Sequence, residues 1–531
     1  MADILITNTK IVDGTGAPWY RGAIEVNDGR IASISRKSNP NIGTEETIDA
    51  NGKVVCPGFI DTHSHSDMEL FDDPTLAPKV RQGITTEVLG QDGFSMAPMY
   101  RDGGAEEWSK QLGALAGRVN VEWTWGSVSD YLDAIDKSRI APNAALIVGH
   151  GTVRFNVLGM DSRNPTDVEL EEMADLVTEA LKDGAIGFST GLIYTPCTYA
   201  ETREVQELAA RLRPYGRPFI AHIRSEGRWI WEALDEFVDI GAEEGIPLHL
   251  SHFKVAGPEQ HGKVDQAKAF IETARERGVD FTAEQYPYTA GSTMLSAVLP
   301  PWVHAAGPEG TLEYLTDDDA RERIRRDVTE WRIEGWENIG ALSGWENVVI
   351  ANVESEANAE VEGLSIAEVA DDRGIGSIDA ICDLLVEEDL SVSISLHMLD
   401  EDDVHEILSY ERVCVGTDGL FGGKPHPRVY GSYPRILGTY VREENLFTLE
   451  EAVRKMTSLP ARAMGLDQKG VVRPGMDADL VVFDPVRVKS HATFENPRRF
   501  PEGIDHVLVN GEFAVRDGET TENLPGRTIR K

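Results

Sequence analysis

Eight short apolar runs, most of them followed by a helical stretch, constrain this chain more than any other feature. They are "KVVCPGFIDTH", "ITTEVLG", "NAALIVGHG", "GAIGFSTG", "RPFIAHIRSEG", "IPLHLSHFKVAG", "VDFTAEQYPY" and "ERVCVGTDG". Stretches such as "DVELEEMADLVTEALKDG" and "AETREVQELAARLRPYG" lie between them with apolar residues at helical spacing. Strand and helix alternating in this way imply a parallel sheet, and this number of strands predicts an α/β fold, a closed (β/α)8 barrel of the TIM type. The run "SVSISLHM", Ser391 to Met398, also reads as a strand and leaves the choice of the seventh barrel strand open.

The two ends share another pattern. "ILITNTKIVDGTG" and "GAIEVNDGRIASIS" near the start, and "ADLVVFDP" and "IDHVLVNGEFAVRDGE" near the end, alternate apolar residues around Asp-Gly and Asn-Gly. Such dipeptides mark hairpins. The simplest arrangement pairs both ends, residues 1–57 and 470–531, into one small β-sandwich domain, with the barrel over 58–469 inserted between its halves. Inside the barrel, the stretch at about 295–353 is too long for a connection and carries Trp302, Trp331, Trp336 and Trp345, with Ile324, Val328 and Trp331 on one helical face. It is expected to form an insertion or lid.

Composition narrows the partners. With 41% hydrophobic and 27% charged residues, the chain is that of a soluble globular protein rather than a disordered one. A net charge of −39 repels nucleic acid and anionic membranes, so neither is an expected partner. The acidic residues are dispersed and lysine is scarcer than arginine, which suits a surface adapted to high intracellular salt. The opening "MADILITNTK" lacks the basic and apolar regions of a signal peptide, and no apolar run reaches the length of a membrane span. Cys56, Cys197, Cys382 and Cys414 are scattered, as expected of a reducing cytoplasm. The oligomeric state is not legible.

Chemistry in such a barrel belongs at the C-terminal ends of the strands. "GFIDTHSHSD" places His63 and His65 two apart, so that on a strand both imidazoles point the same way. His222 ends "PFIAHIRSEG", His252 ends "LHLSHFK" and Asp418 ends "VCVGTDG". Imidazole and carboxylate are the ligands of zinc sites that keep a position open for water. Singly each residue reads as a cap or turn; gathered at the ends of a barrel's strands they read as a metal site.

"GFIDTHSHSD" resembles the opening motif of the amidohydrolase superfamily, and the similarity narrows to the N-acyl-D-amino-acid deacylases, the D-aminoacylase family. "GLIYTP", "AHIRSEG", "LSHFK", "QYPYTAGST", "GTDG", "PHPRVYGSYPRILGTYVRE", "KMTSLPARAMGL", "GMDADLVVFDP", "ATFENP" and "LPGRTIRK" carry the resemblance over essentially the whole chain. It implies a firmly held zinc on His222 and His252, and a weaker second divalent ion at His63, His65 and Asp418. Asp418 would be the general base, passing the proton of the attacking water to the departing amine. The small-molecule substrate, an N-acyl-D-amino acid, would be gripped by its α-carboxylate at Arg428, Tyr286 and Ser292, with Lys254 assisting from the strand face of His252. Arginine offers a carboxylate a bidentate fork, which fixes orientation as well as charge.

One position departs from the resemblance. In the turn "GQDGFSMAP" that family carries a cysteine ligand where this chain has Asp92. A carboxylate binds zinc at about 2.0–2.2 Å and suits manganese better than a thiolate does, so Asp92 is expected to ligate one metal or bridge two. A cyclic-amide hydrolase of the hydantoinase or dihydroorotase kind is a second reading, but those relatives usually bridge their metals with a carboxylated lysine that "GAIGFSTGLIY" lacks. A non-catalytic barrel is a third; such proteins tend to lose ligands, and this chain keeps them.

Overall fold

The computed structural model describes residues 2–116, 121–331 and 333–531. The parallel barrel strands, labelled β1 to β8 in chain order, are Phe59–Asp61, Ile84–Leu89, Asn143–Leu146 (continued by Val148–Gly149), Phe188–Gly191, Phe219–His222, Leu248–Leu250, Phe281–Gln285 and Val413–Val415. Each pairs in parallel with its neighbour. The barrel closes where the amide of Asp418 donates to the carbonyl of His63 at 2.8 Å and Ser64 bridges Gly419. Every residue of β2, ITTEVL, is buried, because side chains fill the barrel on one face and meet helices on the other. The connecting helices start and stop on local signals. The Asp167–Asp183 helix opens with a Thr166–Glu169 capping box and ends at Gly184, φ 118°.

The chain ends form one continuous nine-stranded sheet. Val54–Pro57 runs antiparallel to Leu480–Phe483 and so joins the two halves. Ile6 and Ile24 from the first half share a core with Leu480 and Leu508 from the second. Its hairpin turns are those that Asp-Gly and Asn-Gly favour, with positive φ at Asp28 and Gly29 and at Asn510 and Gly511. Thr528–Ile529 leaves this sheet and pairs with β3 instead.

The seventh strand is "FTAEQ", which pairs directly with β8. Ser393–His397 belongs to a separate antiparallel sheet with Ala290–Met294 and Val348–Asn352. The insertion expected at about 295–353 is therefore wider, because its central strand comes from beyond Val353. Helices Ile366–Arg373 and Ser377–Glu387 complete it, and Ile350, Ile366, Ile381 and Ile394 pack in a core of its own. Among the described residues no helix is long and apolar enough to cross a membrane.

Candidate active site

The polar residues read from the strand ends meet at the carboxyl end of the barrel. His222 is the last residue of β5. His63 and His65 lie beyond β1, which ends at Asp61, so strand alternation does not aim them. Asp61 fastens their loop instead. Its Oδ1 accepts from the amides of His63 (3.3 Å) and Thr417 (2.8 Å), and its Oδ2 from Lys79 Nζ (2.8 Å). This buried carboxylate ties the first strand to the last just beneath the site. β6 ends at Leu250, so the strand face expected to carry His252 and Lys254 stops short of both. A direct contact replaces it: Lys254 Nζ donates to His252 Nδ1 at 2.7 Å.

Asp92, His252 and Asp418 hold left-handed backbone, with φ of 56°, 33° and 51°. Residues with a Cβ persist there only where the surroundings over-determine them. For Asp92 the surroundings are plain. β2 is followed by Gly90, φ 81°, where a Cβ would stand 2.0 Å from the carbonyl of Ile147. At the end of β4, a Cβ on Gly191 would stand 2.3 Å from the carbonyl of Asp92. Ser189 Oγ accepts from the amide of Gly93 (3.1 Å) and donates to the carbonyl of Gly90 (2.5 Å), while Gln91 Nε2 donates to Thr62 (2.6 Å). The turn is thus pinned to its neighbours, with the Asp92 carboxylate at their centre.

Asp92 offers one oxygen to each half of the cluster. Its Oδ2 lies 3.4 Å from His63 Nε2 and 3.5 Å from His65 Nε2. Its Oδ1 lies 3.5 Å from His252 Nε2 and 3.8 Å from His222 Nδ1. Asp418 Oδ1 faces the first half, 3.6 Å from His63 Nε2 and 3.3 Å from His65 Nε2. Two groups of donors result, His63–His65–Asp92–Asp418 and Asp92–His222–His252, each within 4.8 Å. His63 Nε2, His65 Nε2, both ring nitrogens of His222 and Asp92 Oδ1 are buried with no hydrogen-bond partner among the described residues. Buried polar atoms rarely go unpaired, and nitrogen and carboxylate donors converging in this way fit zinc or manganese.

Charge in the cluster follows from burial and neighbours. Burial pushes His63 and His65 down, but Asp92 and Asp418 outweigh it and raise both imidazoles. For His222 burial wins, and its pKa falls to about 4. Burial opposes ionisation of Asp92 and Asp418 too; the imidazoles hold Asp92, and Arg428 with His63 holds Asp418, well below the usual carboxylate range.

Two carboxylates that the sequence reading passed over support the donors. Glu284, on β7, takes His63 Nδ1 and His249 Nε2 at 2.6 Å each and accepts from the amide of His252 at 3.3 Å. Glu226, in "HIRSEG", accepts from Lys254 Nζ at 2.7 Å and lies 2.9 Å from His252 Nδ1 and 3.5 Å from His222 Nε2. A glutamate amid an apolar barrel strand was the available signal for the first.

Anion-binding groups lie beside the donors. Arg428 is fully buried, with Nη1 2.9 Å from Asp418 Oδ2 and Nη2 donating to the carbonyl of Ser292 at 3.0 Å. Among the described residues its Nε has no hydrogen-bond partner, nor has Tyr286 Oη, and the guanidinium stacks 4.7 Å from the Tyr286 ring. The Ser292 hydroxyl turns away, donating to Ile394 at 2.8 Å, so its backbone rather than its side chain meets Arg428.

The sequence profile of the amidohydrolase family matches residues 46–515. The chain belongs to this family. Along its length this amidohydrolase is 34% identical, over 530 residues, to the D-aminoacylase of Alcaligenes xylosoxydans xylosoxydans, with 100% of this chain and 98% of that protein covered. A solved D-aminoacylase, described with a binuclear metal centre, one-metal activation and second-metal attenuation, superposes with a TM-score of 0.85 at 34% identity, covering 100% of both chains. The N-acyl-D-glutamate deacylase of Bordetella bronchiseptica, solved with zinc and a phosphonate mimic of the tetrahedral intermediate, gives 0.84 at 34% identity, again over 100% of both chains.

Proposed function

We propose that this amidohydrolase cleaves the amide bond of N-acyl-D-amino acids, giving a carboxylate and a free D-amino acid. The observation that carries this reading is that metal donors and anion-binding groups adjoin: Tyr286 lines one cavity with His222, His252 and Asp418, and Arg428, whose Nε is unpartnered among the described residues, pairs with Asp418 behind it. His222, His252 and Asp92 would hold a zinc ion, and His63, His65 and Asp418 with Asp92 a second divalent ion, zinc or manganese. When bound, such a metal makes water nucleophilic near neutral pH and polarises the scissile carbonyl.

The chain's own side chains do the rest. Arg428 grips the α-carboxylate with its fork, and Tyr286 Oη adds a donor beside it. The Ser292 carbonyl steadies the guanidinium, and Lys254, held by Glu226, orients the substrate's anionic end. Asp418 takes the proton as the water oxygen bonds to the carbonyl carbon, then gives it to the amine as the C–N bond breaks. Because Arg428 touches Asp418, a substrate held by the guanidinium stands next to the group that moves its proton. Fixing both carboxylate and carbonyl leaves the side chain one direction, and this selects the stereoisomer. β4, FSTG, brings no lysine to bridge two metals, which favours the linear amide over a ring.

We assign the chemistry to the barrel, 58–469, and the flanking residues 1–57 and 470–531 mainly to the small β domain. Four buried free cysteines and an excess of 90 acidic over 51 basic residues support a cytoplasmic, salt-adapted enzyme. The test is release of free amine from paired N-acetyl-D- and N-acetyl-L-amino acids by zinc-supplemented protein in molar salt. Release from the D set alone, abolished by a chelator, is expected; release from L substrates or from hydantoins instead would overturn the reading.

A further inference from the structure

Resting on the two-ion reading above, we infer that the buried pair Lys79–Glu87 positions the His63–His65 half of the cluster, acting through the serines that alternate with those histidines, and leaves the His222–His252 half alone. The segment His63–Ser64–His65–Ser66 alternates imidazole and hydroxyl. Its histidines face Asp92 and Asp418. Its serines meet instead on a single oxygen: Glu87 Oε1 accepts from Ser64 Oγ at 3.0 Å and from Ser66 Oγ at 3.2 Å. The two hydroxyls lie 2.9 Å apart, and the amide of Ser66 donates to Ser64 Oγ at 3.3 Å. Strand alternation does not aim the histidines; the bolting of the serines between and after them does.

Glu87 belongs to β2 and is buried, and a buried carboxylate is costly without a counter-charge. Lys79, fully buried on the short helix Ala77–Val80, supplies it. Its Nζ lies 2.8 Å from Glu87 Oε1 and 2.8 Å from Asp61 Oδ2, and donates to Ser64 Oγ at 3.1 Å and to Thr417 Oγ1 at 2.9 Å. Burial opposes the charge of this ammonium, but Asp61 and Glu87 outweigh it and raise its pKa. One lysine therefore ties together the end of β1, β2, the histidine segment and the residue before Asp418. Those are the elements that carry His63, His65 and Asp418, the donors that only this half uses.

The other half is held by different groups. His222 and His252 stand against Glu226, and Lys254 pairs with both Glu226 and His252. Among the described residues the side-chain contacts of Lys79 and Glu87 reach neither β5 nor β6 nor the loops that follow them. Each half thus has its own buried lysine and glutamate, and Asp92 is the donor they share. Lys79 and Glu87 touch no candidate metal donor's ring or carboxylate, so they act as positioning residues, through Ser64, Ser66 and Thr417. Residues that orient metal ligands in this way typically contribute 10- to 100-fold to affinity.

The experiment titrates the metal-free full chain with zinc against a chromophoric chelator, and reads two binding constants. His65→Ala and His222→Ala identify which constant belongs to which half. The double variant Ser64→Ala/Ser66→Ala removes both bolts but leaves Lys79 paired with Asp61 and Glu87, so no buried charge is stranded. It should weaken zinc at the His63–His65 half by about 10- to 100-fold and at the other half by less than about threefold. Glu87→Gln should act in the same direction, and the serine variant carries the test alone if the glutamine variant does not fold. Ser66→Thr, which keeps the hydroxyl, should stay within about threefold of wild type at both halves. A role in folding alone would lower thermal stability without separating the two constants. Both constants falling alike, or neither moving, would overturn the inference while the two-ion reading stands. A wild type that takes up no ion at His63 and His65 overturns that reading and this inference with it.

Discussion

At the barrel mouth the buried residues are imidazoles and carboxylates, among them His63, His65, His222, His252, Asp92 and Asp418. The insertion beside it is built around Ile350, Ile366, Ile381, Ile394 and Leu385. In the first region positions are fixed by hydrogen bonds and left-handed turns, which hold atoms to fractions of an ångström but bring few apolar contacts. In the second they are fixed by aliphatic packing, which is strong and indifferent to the residue's chemistry. The mouth thus gathers the candidate metal donors, while the insertion supplies a packed apolar frame beside them. The small sheet Ala290–Met294, Val348–Asn352 and Ser393–His397 is where they touch, with Ser292 meeting Arg428 and Leu396 flooring the cavity.

The largest effect should come from the residue both halves of the mouth share. Asp92→Ala removes the carboxylate that faces His63 and His65 with one oxygen and His222 and His252 with the other. We expect kcat/KM to fall by more than about 10³-fold, with metal content after dialysis dropping well below wild type and thermal unfolding changed far less. Asp92→Cys should restore metal to the His222–His252 half. Full metal content in Asp92→Ala would place the ions elsewhere and dissolve the contrast between mouth and insertion.

The two regions also differed in how much of them could be read. The barrel was legible because parallel strands buried on both faces leave continuous apolar runs, and the His and Asp residues were legible because they end those runs. The reason given for their aim was less sound: β1 and β6 stop before His63 and His252, and the side chains are directed by Asp61 and by Lys254 rather than by strand alternation. Glu284 and Glu226 escaped notice because each depends on partners distant in sequence, His63 lying on the first barrel connection and Glu284 on the seventh strand. The extent of the insertion escaped for a similar reason. Ser393–His397 has the composition of any buried strand, and only its pairing with Ala290–Met294 excludes it from the barrel.

A second test probes the insertion without touching the mouth. His304 is buried, donates Nε2–H to the carbonyl of Ser296 (3.1 Å), and is pushed by burial, against that bond, down to about 4. Its folded pKa lies below the unfolded value of about 6.5, so between the two the unfolded chain binds more protons and stability rises with pH. The contribution is complete above about pH 6.5 and is lost as pH falls through 4, by about 3 kcal/mol. His304→Gln keeps a donor for Ser296 but does not titrate. Urea unfolding at constant salt should show the wild type losing about that much more than the variant between pH 7 and pH 4; parallel curves would mean that the insertion gives His304 water.

The smallest of these effects is the sharpest probe of how the mouth is held. Glu284 does not itself line the cavity; it grips His63 Nδ1 and His249 Nε2 with separate oxygens, and burial, which disfavours its charge, is outweighed by those two imidazoles. By accepting from His63 Nδ1–H it leaves the lone pair of Nε2, which faces Asp92, free for a metal. Partners of this kind usually contribute 10- to 100-fold, about 1.4–2.7 kcal/mol, to metal affinity or activity. Glu284→Gln preserves shape and one acceptor oxygen, so the barrel should fold, but the amide cannot accept from both histidines. One must turn or change tautomer. Metal affinity by competition with a chelator should fall within that range, and the loss should appear at the His63–His65 half, leaving the ion at His222 and His252 in place. Equal loss from both halves would mean that Asp92 couples them too tightly for either to be held alone, and the mouth would then have to be treated as one unit.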